Sequence, residues 1–203
     1  MPDSNSDSNS LPGLGRRAAV AALLRDRGNR LVVTGLGSPT YDVHALGDRD
    51  DNYYLWGAMG GAALVGLGLA QAQPDRRVLV VTGDGEQLMA LGGLATIAVA
   101  GPRNLDIVVL DNQHYGETGM QASHTGRGID LAAVAAACGF AATGTARTLQ
   151  EVEALAATLR EAAEGPRLFA IKIAADNPPR SLPSRDGVQI KNRFRTHLGF
   201  AAS

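Results

Sequence analysis

Val78-Leu79-Val80-Val81-Thr82-Gly83-Asp84-Gly85 and, further on, Leu105-Asp106-Ile107-Val108-Val109-Leu110-Asp111-Asn112 decide the fold of this chain. Each is a short apolar, β-branched run that ends abruptly in small or polar residues, as a strand buried on both faces does. Between them Leu88, Leu91, Leu94, Ala95 and Ala98 recur at helical spacing and predict one helix over 86–100. The whole is a strand-helix-strand unit of the usual size. In such a unit Asp84 and Asn112 meet at the carboxyl edge of a parallel sheet, where open α/β folds bind their ligands.

A carboxylate and a carboxamide at that edge suit a hard divalent cation carrying a diphosphate. Magnesium takes oxygen ligands, one or two from side chains and the rest from phosphate and water. The glycines beside Asp84 let the backbone turn sharply and approach closely, and the start of the next helix offers free amides to phosphate oxygens. On its own a glycine-aspartate-glycine turn is most often only a turn. Here the two strands and the spacing to Asn112 argue for a site.

The rest of the chain alternates as a doubly wound α/β fold does, with helices flanking a sheet expected to be all parallel. Helices are predicted over 16–27, 58–72, 129–137 and 149–163, and further strands at Leu31–Thr34 and over 168–173. The glycines at 60, 61, 66 and 68 let the second helix pack closely on the sheet. Residues 36–56 show no sustained period, although Ser38-Pro39 suits the start of a short helix, and a loop of that length is often functional. The expected division is a disordered polar segment over 1–14, one domain over 15–176, and a basic, irregular tail over 177–203. Ile190, Phe194, Leu198 and Phe200 in that tail are expected to be exposed and to dock on another subunit.

Composition narrows the function by exclusion. The chain has 203 residues, 45% hydrophobic and 4% aromatic, enough for one sizeable core of small aliphatic side chains. Nineteen basic residues against twenty acidic ones leave no electrostatic footprint for nucleic acid or an anionic membrane. No run reaches the roughly 18 apolar residues of a membrane span, and the first ten residues lack the apolar core of a signal peptide, so the expected location is the cytoplasm. The single cysteine, Cys138, sits in an alanine-rich stretch and reads as a small apolar residue. Gly35-Leu36-Gly37 lacks the third glycine of a nicotinamide-binding fingerprint, which weakens a dehydrogenase reading.

The segment from Gly83-Asp84-Gly85 to Asn112 resembles the cofactor motif of thiamine diphosphate enzymes, with Leu110-Asp111-Asn112-Gln113-His114-Tyr115-Gly116 at its downstream end. Leu55-Trp56-Gly57-Ala58-Met59-Gly60-Gly61 is similar to the turn that packs on the aminopyrimidine ring in that superfamily. Tyr115-Gly116-Glu117-Thr118-Gly119-Met120-Gln121 resembles the separate β subunits of sulfopyruvate decarboxylase and the matching half of phosphonopyruvate decarboxylase. The resemblance runs over about residues 25–175.

The resemblance implies the diphosphate-binding fold of that superfamily, with thiamine diphosphate and Mg2+ as cofactors. It implies metal ligation by the side chains of Asp84 and Asn112 and by the backbone carbonyl of His114. Gly83, Gly85 and Glu86, the loop Gly35, Gly37 and Ser38, and the neighbouring Tyr115, Gly116 and Glu117 would contact the cofactor. Gly57 would accept from the pyrimidine amine, and Met59 would wedge beneath the bent cofactor. Met59 and Glu117 are the candidate catalytic residues. His124 and Thr125 are further candidates to reach substrate, and Arg127 to pair with a second anionic group.

One departure carries a consequence. Enzymes of this superfamily activate the cofactor with a glutamate from a different, pyrimidine-binding domain, and this chain holds no second domain. A split enzyme is implied: an α subunit would bring that glutamate, in an α2β2 or larger assembly, to convert a small 2-oxoacid to an aldehyde and carbon dioxide. A carboligase or oxidoreductase subunit of the same superfamily, or a non-catalytic subunit that keeps the fold for assembly, are the alternatives.

Overall fold

A computed structural model describes residues 13–201. Most of the expected 1–14 segment lies outside the described residues, but Leu14 is held, its carbonyl accepting from the Ala174 amide at 2.8 Å. The chain runs α1 (Arg16–Leu24), β1 (Leu31–Thr34), α2 (Ser38–His44), β2 (Asn52–Tyr54), α3 (Ala62–Ala72) and β3 (Val78–Gly83). There follow α4 (Asp84–Met89), α5 (Gly93–Ala100), β4 (Leu105–Asp111), β5 (His114–Tyr115), β6 (Gln121–Ala122) and a 3-10 turn at His124–Arg127. The last elements are α6 (Leu131–Cys138), β7 (Ala142–Ala146), α7 (Leu149–Thr158), β8 (Arg167–Lys172) and α8 (Gly187–His197).

Six strands form one sheet in the order β2-β1-β3-β4-β8-β7, with every pairing parallel as expected. Its strands are apolar throughout because both faces are covered. Leu31, Val33, Val78, Val80, Leu105, Ile107 and Val109 pack under α3, α5 and α6. The alternating residues Val32, Leu79, Val81, Val108 and Leu110 pack under α1, α2 and α7. The chain leaves β1 toward β2 on one side and β3 toward β4 on the other, so a crevice opens between the carboxyl ends of β1 and β3.

Several expected elements are reshaped for identifiable reasons. The helix predicted over 86–100 is two helices, broken at Ala90 (φ −113°, ψ 36°). Gly92 and Gly93, the poorest helix formers of the segment, follow the break, and a side chain at Gly93 would just touch Leu64 of α3 at 3.4 Å. The helix expected from residue 58 starts at Ala62, since Gly57 (φ 72°) and Gly60 (φ 92°) form a turn instead. Gly66 of α3 behaves as expected: an added Cβ would meet Val80 Cγ2 at 2.3 Å. The helices expected over 16–27 and 149–163 end at Leu24 and Thr158, and that over 129–137 is shifted to Leu131–Cys138, capped by the Asp130 carboxylate. The featureless 36–56 holds α2 and the three-residue edge strand β2, too short to show a period.

The tail expected to be irregular and exposed is mostly a helix on its own domain. Ile190 and Phe194, spaced four apart, are 3% and 5% exposed. Phe194 packs edge-on against Tyr53 of β2, ring centroids 5.4 Å apart, and Leu198 also packs on the core. Arg193 reaches Asp48 at 2.5 Å. Thus α8 covers an edge strand that would otherwise present unpaired backbone, and its inner face no longer argues for docking on another subunit. Phe200 remains half exposed.

Candidate active site

The carboxyl ends of β1, β3 and β4 surround a cavity of about 260 Å³. Ser38, Met59, Gly83, Asp84, Gly85, Glu86, Asn112, His114, Tyr115, Gly116 and Glu117, all singled out from sequence, lie on its wall. Gly35, Gly37 and Gly57 do not.

Asp84 opens α4 directly off β3 and is 2% exposed. Its Oδ2 accepts from Ser123 Oγ at 2.5 Å and lies 3.0 Å from Thr125 Oγ1, which is also 2.8 Å from Asp111 Oδ1. Burial pushes the Asp84 carboxyl above its ordinary range and the neighbouring Asp111 adds to the effect, while the two hydroxyls oppose it. A buried carboxylate held by hydroxyls and not by a cationic side chain is what a site for an added cation provides. Asp111 is different: Lys172 of β8 pairs with its Oδ2. Asn112 Oδ1 accepts the His114 amide at 2.9 Å and keeps a second lone pair. Gln113 between them has φ 64°, rare for a side-chain-bearing residue, which closes the loop tightly after β4. Two oxygen-bearing side chains beside a phosphate-sized space fit magnesium, which draws its other ligands from phosphate and water. Among the described residues no group of three or more His, Cys, Asp or Glu could hold a metal by itself.

Glu86 is 3% exposed, its Oε1 accepting from the Gly60 amide at 3.3 Å. A Cβ on Gly35 would lie 1.7 Å from Glu86 Oε2, so the carboxyl lies between the loop after β1 and the turn that carries Met59. Burial raises its pKa. Gly85 is likewise filled from outside, since a Cβ there would meet the Tyr115 ring at 2.7 Å. Gly37 (φ 80°) lies against Glu117, whose carboxylate pairs with Arg180 at 2.9 Å.

Met59 and Met89 are 42% and 63% exposed at the cavity mouth. Thr125, expected to reach toward substrate, is buried against Asp84 and Asp111. His124 meets the Tyr115 hydroxyl at 3.2 Å, and Arg127 is exposed on the 3-10 turn, off the cavity wall. Sequence reasoning missed Arg16, Met89 and Ser123. Ser123 carries no local signal, because only the β5-β6 hairpin returns it to Asp84.

The sequence matches the family model described as thiamine pyrophosphate enzyme, C-terminal TPP binding domain, over residues 38–173. It is 42% identical over 123 residues to sulfopyruvate decarboxylase subunit beta of Methanocaldococcus jannaschii, covering 61% of this chain and 64% of that protein. It is 41% identical over 173 residues to phosphonopyruvate decarboxylase of Streptomyces viridochromogenes, covering 82% of this chain and 42% of that one. The corresponding beta subunit of Methanothermobacter thermautotrophicus is 39% identical, with 82% and 85% covered. The chain thus spans under two thirds of the first two relatives. Among solved structures, benzoylformate decarboxylase of Polynucleobacter necessarius superposes with a TM-score of 0.69 at 20% identity, over 88% of this chain and 36% of that one. That likeness is one of fold.

Proposed function

We propose, for a chain that belongs to the thiamine pyrophosphate enzymes as their C-terminal TPP-binding domain, the role of diphosphate-binding subunit in a decarboxylase of small 2-oxoacids. The observation that carries the reading is the buried Asp84, oriented by Ser123 and Thr125 beside Asn112, at the crevice between β1, β3 and β4. Beta subunits named for sulfopyruvate decarboxylation are 39% and 42% identical to this chain, which supports a 2-oxoacid with a second anionic group as the substrate class.

Asp84 and Asn112 would hold Mg2+ on the diphosphate, with the His114 carbonyl as a third protein ligand. When bound, thiamine diphosphate supplies the electron sink that lets carbon dioxide leave the 2-oxoacid. The chain's own groups position and shield. Ser123 and Thr125 fix the Asp84 carboxylate, Tyr115 packs on Gly85 to close the floor, and Met59 and Met89 flank the open side. Leu36, Ser38 and the start of α4 would offer the phosphates backbone amides and a hydroxyl.

A second subunit completes the reading. Glu86 and Glu117, the two glutamates on the cavity wall, are already engaged with Gly60 and with Arg180. Glu86 Oε2 remains buried without a hydrogen-bond partner, so the reconstitution below also tests whether this carboxyl serves the pyrimidine ring. Met59 and Met89, both on the cavity wall, expose apolar surface there, as a face awaiting a partner does. We infer that an α subunit brings the activating glutamate and covers this face. The test is reconstitution: this chain with Mg2+, thiamine diphosphate and sulfopyruvate or phosphonopyruvate should release no carbon dioxide above background, and addition of a pyrimidine-domain subunit should start turnover. Robust release by this chain alone overturns the split-subunit reading.

A further inference from the structure

Arg16 is the first residue of α1, yet it is 3% exposed and lies on the wall of the same cavity as Asp84 and Asn112. A cation in the first turn of a helix opposes the helix dipole, and a buried guanidinium loses hydration, so the position is unfavourable on both counts. Its neighbours compensate only in part. Asp42, fully buried, lies 2.8 Å from Arg16 Nε but also serves Arg17 at 3.2 Å, so two guanidinium groups share one carboxylate. The Arg16 contact is one of charges and not an aligned hydrogen bond: neither its Nε nor Asp42 Oδ2 has a hydrogen-bond partner. Arg17 is one-third exposed, whereas the Arg16 guanidinium is buried and its pair with Asp42 is imperfectly aligned, on a wall that it shares with Ser38 and Glu117.

The hydrogen bonds Arg16 does make concern Ser38. Arg16 Nη1 donates to Ser38 Oγ at 2.8 Å and to the Asp176 carbonyl at 3.3 Å. With an acceptor site of Ser38 Oγ occupied by a cation, the hydroxyl proton is left to donate elsewhere, and Ser38 borders the cavity. A cation and a hydroxyl donor together on one wall recognise a tetrahedral oxyanion.

We infer that Arg16 and Ser38 form a second, metal-independent contact to the diphosphate of the cofactor, a role that rests on the cofactor-binding reading above. Ser38 opens α2 after β1, across the crevice from the end of β3 and the start of α4, and the diphosphate would lie between them. The same pair could instead hold the anionic head of the substrate, and the experiment separates the two.

Calorimetric titration of the complex reconstituted with its α subunit, using inorganic diphosphate with Mg2+ and then thiamine diphosphate with Mg2+, reads the contact without turnover. Arg16→Met should weaken both ligands by about tenfold to a hundredfold, Arg16→Lys by less, and Ser38→Ala about severalfold. Ser38→Ala removes no buried charge and serves as the measurement if Arg16→Met does not fold. Both affinities unchanged in Arg16→Met or Ser38→Ala overturn the inference, including the case where only the Michaelis constant for the 2-oxoacid rises. Loss of binding in Asp84→Ala with none in the Arg16 and Ser38 variants sinks this inference alone, whereas a wild-type complex that binds neither ligand sinks the cofactor reading itself.

Discussion

Asp84 is a buried carboxylate on the cavity wall, and its surroundings say how it is held. Two hydroxyls fix one oxygen, burial raises the proton affinity, and a divalent cation bound there would favour the ionised carboxylate. Asp84→Ala is expected to abolish magnesium-dependent thiamine diphosphate binding in the assembled complex while the circular dichroism spectrum stays native. Unchanged metal-dependent affinity in a calorimetric titration would remove Asp84 from the ligand set. Gly35 provides a second residue-scale test. Its side-chain space is occupied by Glu86 Oε2 and Thr82 Oγ1, at 1.7 and 2.8 Å from an added Cβ. Gly35→Ala should cost about 1–3 kcal/mol through overpacking, and most of that cost should vanish when Glu86→Ala is already present. Additive losses in a denaturant-melt double-mutant cycle would mean that the backbone, and not Glu86, requires glycine there.

Elements meet through a few buried ion pairs that the strand register makes possible. Asp106, the second residue of β4, lies directly opposite Arg167 of β8 and is fully buried, and its two oxygens take Arg167 at 2.6 Å and Arg77 at 3.1 Å. Removing one partner of such a cluster leaves uncompensated buried charge. Asp106→Ala should therefore lose about 3–5 kcal/mol in urea melts. A loss under 1 kcal/mol would show the cluster to be hydrated. Element boundaries were less legible than element types. The strands read clearly because each is a continuous apolar run, but β2 and β7 are edge strands, one of three residues and one of alanine, threonine and glycine, and neither carries a periodic signal.

At the scale of the whole molecule the six-stranded sheet is closed at one edge by its own α8, while the mouth of the cavity stays uncovered. Met89, 63% exposed beside Met59, marks that mouth. Met89→Lys should leave the thermal midpoint of the isolated chain within about 2 °C, since surface changes are usually small in effect. It should also weaken association with an α subunit at least about tenfold, as loss of an apolar anchor at an interface centre does. Equal affinity by surface plasmon resonance would place the interface elsewhere. The sequence by itself determined the parallel α/β class, the strand ends that carry Asp84 and Asn112, and most of the cavity wall, because apolar runs and the residues that end them are local signals. Only the tertiary structure decided that α8 belongs to its own domain, that Thr125 braces Asp84, and that Arg16 of α1 reaches the cavity beside Ser38 of α2. Those contacts join residues tens of positions apart, and whether a charge or an apolar stripe is spent inward or left outward depends on what the fold packs against it.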